Sequence, residues 1–165
     1  GFDAVHASPP CQDYSVTKSL HDAEYQRLIE PMRERLAATG RPYVIENVAG
    51  ARSDLRNPVQ LCGSAFGLDV RRHRLFETNF PLMAPGCAHG QQAARFDVYE
   101  HGKWIKSPVA RVYGHGGGKA REEWPRAMGI DWMTYAELAQ AIPPAMTEWV
   151  GSYLLTHLNT QQLAA

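Results

Sequence analysis

Cysteine is scarce in this chain, and so is net charge. The 165 residues carry three cysteines, Cys11, Cys62 and Cys87, with no C-x-x-C pair among them. An odd number at such spacings argues against a disulfide framework and fits free thiols in a reducing compartment. Lys and Arg number 17 against 17 for Asp and Glu, a formal net charge of zero. No global basic field therefore advertises nucleic acid, and any such contact has to come from local clusters such as Arg71–Arg74. No apolar run reaches the length of about 18 residues that a membrane span needs, and no signal peptide is expected. A soluble cytoplasmic protein, monomeric and without a membrane partner, is the expectation. Internal repeats and low-complexity tracts are also missing.

What is present has an ordinary globular composition, 44% hydrophobic and 21% charged, sufficient for one domain with a small appended lobe. The most unusual stretch is Ser8-Pro9-Pro10-Cys11-Gln12-Asp13-Tyr14-Ser15. Two prolines cannot continue a central strand, because neither has an N–H for the ladder. The run Phe2 to Ala7 therefore reads as a short buried strand that ends before Cys11, leaving the thiol in a stiff loop. Asp22 to Ala38 has apolar residues at helical spacing (Tyr25, Leu28, Ile29, Met32, Leu36), with Gly40 placed to end it and Pro31 expected to kink it. Tyr43 to Ile45 then makes a second strand finishing on Glu46-Asn47-Val48. Strand, helix, strand implies a βαβ unit and a parallel sheet, with Cys11 and Glu46 just past two strand ends, where they can face each other.

A third strand is expected at Leu75–Glu77, after Arg71-Arg72-His73-Arg74. From 78 to 123 periodicity fades into Gly, Pro and His, and this segment reads as a loop-rich insert. Thr134 and Glu137 have capping-box spacing at the head of a helix to Ala141. After Pro143-Pro144 a last helix is expected from Ala145 to His157, its stripe of Met146, Trp149, Val150, Tyr153 and Leu154 facing a core. The expected organisation is a catalytic α/β region over 1–77, the insert over 78–123, and a helical part over 124–165.

Pro9-Pro10-Cys11-Gln12, Glu46-Asn47-Val48 and Arg72-His73-Arg74, in that order, resemble the motifs of the DNA cytosine-5 methyltransferases, of phage or bacterial type. The closing segment 128–151 resembles the family's last two motifs. The chain departs from the pattern at Ala7-Ser8 (usually Gly-Gly), Val70 (usually Gln) and Gln140-Ala141 (usually Gly-Asn). The resemblance implies part of a Rossmann-like methyltransferase sheet plus a target-recognition insert, double-stranded DNA as partner, and S-adenosylmethionine as methyl donor. It implies Cys11 as nucleophile, Glu46 as the acid near ring N3, Arg74 at the ring O2, Arg72 as support for the loop or a phosphate, and weak donor contacts from Pro9, Pro10 and Asn47. The family's main donor site lies upstream of the nucleophile, so an unseen N-terminal portion is expected.

The chemistry needs those residue types. Carbon 5 of cytosine becomes nucleophilic only after a thiolate adds at carbon 6, and an acid and a guanidinium stabilise the charge this places on the ring. The target atom is hidden in a duplex, so the base has to be flipped out. Two other readings stand beside this one. A catalytically incomplete DNA-binding or regulatory relative is one, and a cysteine hydrolase pairing Cys11 with His6 or His21 is the other. No metal site is expected: Cys62 reads as core, and Cys87, His89 and His101 match no closed zinc spacing and read as loop residues. "GHGGGK" lacks the Ser or Thr of a phosphate loop, since Ala120 follows Lys119.

Overall fold

Only the second half of the run Phe2 to Ala7 forms a strand, β1 (Val5–Ala7), and it is not the buried strand expected: it lies at the edge of a four-stranded sheet with no buried side chain, and Phe2 is exposed. A computed structural model describes residues 1–14, 26–100, 102–112 and 118–163. Two units divide the chain: Gly1–Leu61 with His73–Ala84 and Val150–Ala165, and Cys62–Arg72 with Pro85–Trp149.

In the first unit β1 is followed by helix α1 (Ile29–Ala38) and strand β2 (Tyr43–Val48), and β1 pairs parallel with β2 through Val5↔Tyr43 and Ala7↔Ile45. This is the expected βαβ unit. The rest of the sheet corrects the all-parallel expectation. Strands β3 (Val59–Leu61) and β4 (Arg74–Thr78) give the order β1-β2-β4-β3, and β4 runs antiparallel to both neighbours. The physical reason lies between β3 and β4, where the chain has only a short 3-10 turn and no crossover helix, so β4 returns antiparallel to β3 and, lying between β3 and β2, is antiparallel to β2 as well. The sheet is mixed and the fold is α/β.

Helix α1 is shorter than its apolar spacing predicts. Residues 22–25 lie outside the described residues, and Gln26–Leu28 are not helical. Pro31 consequently occupies the first turn, where its missing N–H has no intrahelical partner to lose, so the expected kink has no cause. Gly40 does end the helix, at φ +64° with its N–H on the Ala37 carbonyl. One face of α1, through Ile29 and Leu36, packs on Tyr43, Ile45, Leu55, Leu75 and Tyr14. Full burial of an Ile or Leu such as Ile29, Ile45 or Leu75 stabilises by about 1.5–3 kcal/mol each.

The second unit has a core of its own, built on Phe96, Val98, Val112, Trp124, Met128, Ile130 and Leu138. The segment read as lacking regular structure contains an antiparallel hairpin, β5 (Phe96–Glu100) and β6 (Lys103–Ser107), turning at Gly102 with φ +79°. Its alternation is short: Phe96 and Val98 point to the core while Tyr99 and Trp104 stay exposed. Five-residue strands with so few apolar positions leave little pattern to read. Helix α2 (Trp124–Met128) has Pro125 in its first turn, and α3 (Tyr135–Gln140) carries the expected capping box between Thr134 and Glu137. Helix α4 (Pro144–Leu163) begins on the second proline of its pair and runs past the expected His157. Met146 and Val150 of its stripe are buried, and Trp149, Tyr153 and Leu154 are half-buried. Among the described residues, no helix is long and apolar enough to cross a membrane.

Candidate active site

Two strands of the first unit bring together side chains that are far apart in sequence. Glu46 lies inside β2 and not past its end, because the ladder with β4 continues to Val48↔Arg74. In that register Glu46 faces Phe76, and Arg74 is its diagonal neighbour on the same face. The guanidinium Nε of Arg74 sits 3.0 Å from Glu46 Oε1, with both side chains largely withdrawn from water. Such a pair is held by charge and fixed in direction by the strands beneath it.

Asn47 points from the opposite face of β2. Its amide nitrogen donates to the Pro9 carbonyl at 3.0 Å, and its oxygen accepts the Val48 N–H at 2.9 Å. Both ends of the amide are thus engaged by the protein's own backbone, and Asn47 ties the Pro9–Pro10 loop to the strand that carries Glu46. Pro9 is buried and Pro10 exposed.

Cys11 is exposed at the end of that loop. Its carbonyl accepts the Tyr14 N–H at 3.0 Å, closing the turn Gln12–Tyr14. The residues after it are anchored firmly. Tyr14 is buried in the first core, and Asp13 is paired with Arg27 at 2.7 Å. Arg27 also reaches Asp54, which accepts from the Tyr14 hydroxyl at 3.2 Å. A thiol in solvent is thereby mounted on a stiff stalk. Ser15 and His21 lie outside the described residues. His6 on β1 contacts the Ser8 hydroxyl at 3.4 Å, and among the described residues no His–Cys11 hydrogen bond is formed.

Arg72 has a different setting. It belongs to the second unit, adopts φ +35°, and donates to the carbonyls of Ala141, Val112 and Ala139 at 2.7–2.9 Å. A non-glycine residue in the left-handed region persists only where its surroundings over-determine it, and here three carbonyls do so. Arg74 is thus the member of the R-x-R pair that stands against Glu46.

Several cations of the insert, and Arg126 just after it, are engaged within the second unit. Arg95 and Arg126 both pair with Asp69, Lys106 pairs with Asp97 at 2.8 Å, and Arg121 lies over the rings of Trp124 and Tyr135. Exposed Tyr99 and Trp104 stack edge to face at 5.5 Å across the hairpin. His101 and the segment 113–117 lie outside the described residues.

Reasoning from the sequence alone passed over Gly50. A Cβ at that position would come 2.0 Å from the Tyr14 carbonyl oxygen, so only glycine lets the turn after Cys11 lie against the Ala49–Ala51 segment. Its place two residues after Val48 was the one available signal. No protein-family model matches the chain, and no curated protein sequence matches it.

Proposed function

We propose that this chain is the catalytic portion of a DNA cytosine-5 methyltransferase with a Rossmann-like sheet, acting on double-stranded DNA with S-adenosylmethionine as donor. The observation that carries the reading is the Glu46–Arg74 pair at 3.0 Å, on a strand that Asn47 ties to the loop presenting Cys11. An ordered acid, a guanidinium beside it and an exposed thiol on an anchored loop are the groups that carbon-5 chemistry requires.

In this reading the Cys11 thiolate adds to carbon 6 of a flipped cytosine, and the electron pair moves onto the ring toward N3 and O2. Glu46 protonates or hydrogen-bonds N3, and Arg74 stabilises the charge at O2 while keeping the carboxyl in place. Carbon 5 takes the methyl group of the donor, whose sulfonium becomes a thioether. A water molecule then takes the carbon-5 proton, the electron pair left behind re-forms the C5–C6 double bond, and the C6–S bond breaks to restore the thiolate. Arg72 holds the carbonyls of its own unit, and Pro9, Pro10 and Asn47 position the nucleophile loop.

The test is covalent trapping on duplex DNA bearing 5-fluorocytosine at the target, with the donor present, using the protein expressed from its complete reading frame. Fluorine blocks the elimination, so an adduct accumulates. Cys11→Ser is expected to abolish the adduct, while Cys62→Ala and Cys87→Ala retain it. An adduct that survives in Cys11→Ser removes the mechanism. A folded wild-type protein that binds the duplex and forms no adduct favours the non-catalytic relative instead.

A further inference from the structure

The second unit holds a cluster of soft ligands that the proposed chemistry does not use. Cys62, Cys87 and His89 bring their Sγ and ring nitrogen atoms within 4.8 Å of one another. Cys62 Sγ is 3.2 Å from His89 Nε2. Two ligands on one tetrahedral zinc stand roughly 3.5–3.8 Å apart, as follows from Zn–S near 2.3 Å and Zn–N near 2.0 Å. The observed positions need only small side-chain rotations to meet that geometry.

The surroundings of the cluster argue for a ligand as well. Residues 85–92 contain no buried side chain and contribute nothing to either core, so apolar packing does not hold this loop. It lies in the long stretch between β4 and β5, whose one described regular piece is a short turn at His89–Gln91. Loops of that length without structure of their own call for a staple. The present ties are polar and local: the Ala88 N–H donates to Ser64 Oγ at 3.0 Å, and the Gln92 side chain donates to the Leu68 carbonyl. Ser64 in turn lies 3.1 Å from Cys62 Sγ, a neighbour that orients the sulfur as outer-shell groups orient metal ligands. The Cys62 side is rigid, because Gly63 packs so closely on Val70 that a Cβ there would come 2.4 Å from the Val70 carbonyl oxygen.

We infer that Cys62, Cys87 and His89 bind a zinc ion that clips the 85–92 loop onto the Cys62–Arg72 segment. Thiolate and imidazole are the donor types zinc prefers, these three side chains supply three of its four ligands, and binding releases the two thiol protons to solvent. The site concerns the architecture of the second unit and is independent of whether Cys11 is catalytic.

The experiment uses the whole chain purified without a histidine tag from zinc-supplemented medium. Elemental analysis after gel filtration is expected to find about one zinc per chain, and cobalt substitution is expected to give thiolate-to-cobalt charge-transfer bands with intense tetrahedral visible bands. Cys87→Ser, at an exposed position, and His89→Ala are expected to lower the bound zinc about tenfold while circular dichroism stays native, and Cys11→Ser is expected to keep it. Wild-type protein that is folded yet holds no stoichiometric zinc and shows no cobalt charge transfer overturns the inference, as does zinc retained in Cys87→Ser. A Cys62–Cys87 disulfide in the freshly purified protein, in place of metal, overturns it too.

Discussion

At the scale of single residues, the position of Cys11, the proposed nucleophile, depends on groups that do no chemistry in that proposal. Gly50 has its importance from a close approach: with 2.0 Å between a prospective Cβ and the Tyr14 carbonyl, a methyl group has to displace backbone, which cannot yield as a flexible side chain can. Overpacking of this kind costs about 1–3 kcal/mol. Gly50→Ala is therefore expected to lower the melting temperature and to slow adduct formation in the fluorocytosine assay, with a larger effect on the rate than on DNA affinity. The loss falls on the rate because the Gln12–Tyr14 turn carries Cys11, while the surface proposed to contact DNA is untouched. Wild-type rate and melting temperature in Gly50→Ala would show that the turn is not positioned by this contact.

At the scale of elements, α1 and the sheet are joined by a buried ion pair. Arg33 donates bidentately to Glu77 on β4, at 2.6 and 2.8 Å, and both side chains are almost fully inaccessible to water. Glu77 also accepts the Arg56 N–H and the Tyr43 hydroxyl. Burial pushes the Glu77 carboxyl up, and the hydrogen bonds from Arg33 and the Arg56 amide outweigh it, leaving the group below the usual carboxylate range. A carboxyl depressed in the folded state contributes stability that is complete above its unfolded value, about 4.3, and is lost as pH falls toward the folded value. Glu77→Leu is expected to cost up to about 3 kcal/mol near neutral pH, because the buried Arg33 guanidinium loses both bonds to Glu77 and keeps only Glu30 and the Asp54 carbonyl. The variant is also expected to lose part of the acid-limb slope below about pH 4.3. Urea midpoints of both proteins from pH 7 to 3 read both effects, and parallel acid limbs would contradict the assignment.

Over the whole molecule, the proposed function assigns catalysis and recognition to different parts of the chain. Glu46, Arg74 and the Cys11 loop belong to the first unit, and the β5–β6 hairpin with exposed Tyr99 and Trp104 belongs to the second. Among the described residues, Lys106 is paired with Asp97 and Arg121 is stacked on aromatics, so the hairpin aromatics and Lys103 are the exposed groups proposed for grooves and phosphates. Exchanging residues 78–123 for the insert of a relative is expected to change the sequence that is methylated and to leave the chemistry intact. Glu46→Gln is expected to lower turnover on every sequence alike, since it acts on the ring. Methylating a random duplex pool and reading it by bisulfite sequencing separates the two. An unchanged site after the exchange would place recognition elsewhere.

Much of this was legible along the chain because it is local. Pro9-Pro10 ends β1 by withholding N–H groups, Gly40 ends α1 by accepting a positive φ, and Thr134 with Glu137 caps α3. The β1–α1–β2 unit follows from strand and helix periods that a one-dimensional pattern carries. The mixed sheet does not, because whether β4 runs with or against β2 depends on which route the chain takes between them. The hairpin in the insert escaped because its strands are short and half-exposed. What tertiary structure alone decided are the meetings of distant residues: Glu46 with Arg74 through the Val48↔Arg74 register, Asn47 with Pro9, Arg33 with Glu77, and Cys62 with Cys87 and His89. Cys62 read as core and His89 as loop when each was weighed alone. A ligand set is a property of distances in space, and the sequence by itself determines only which residues are available to meet.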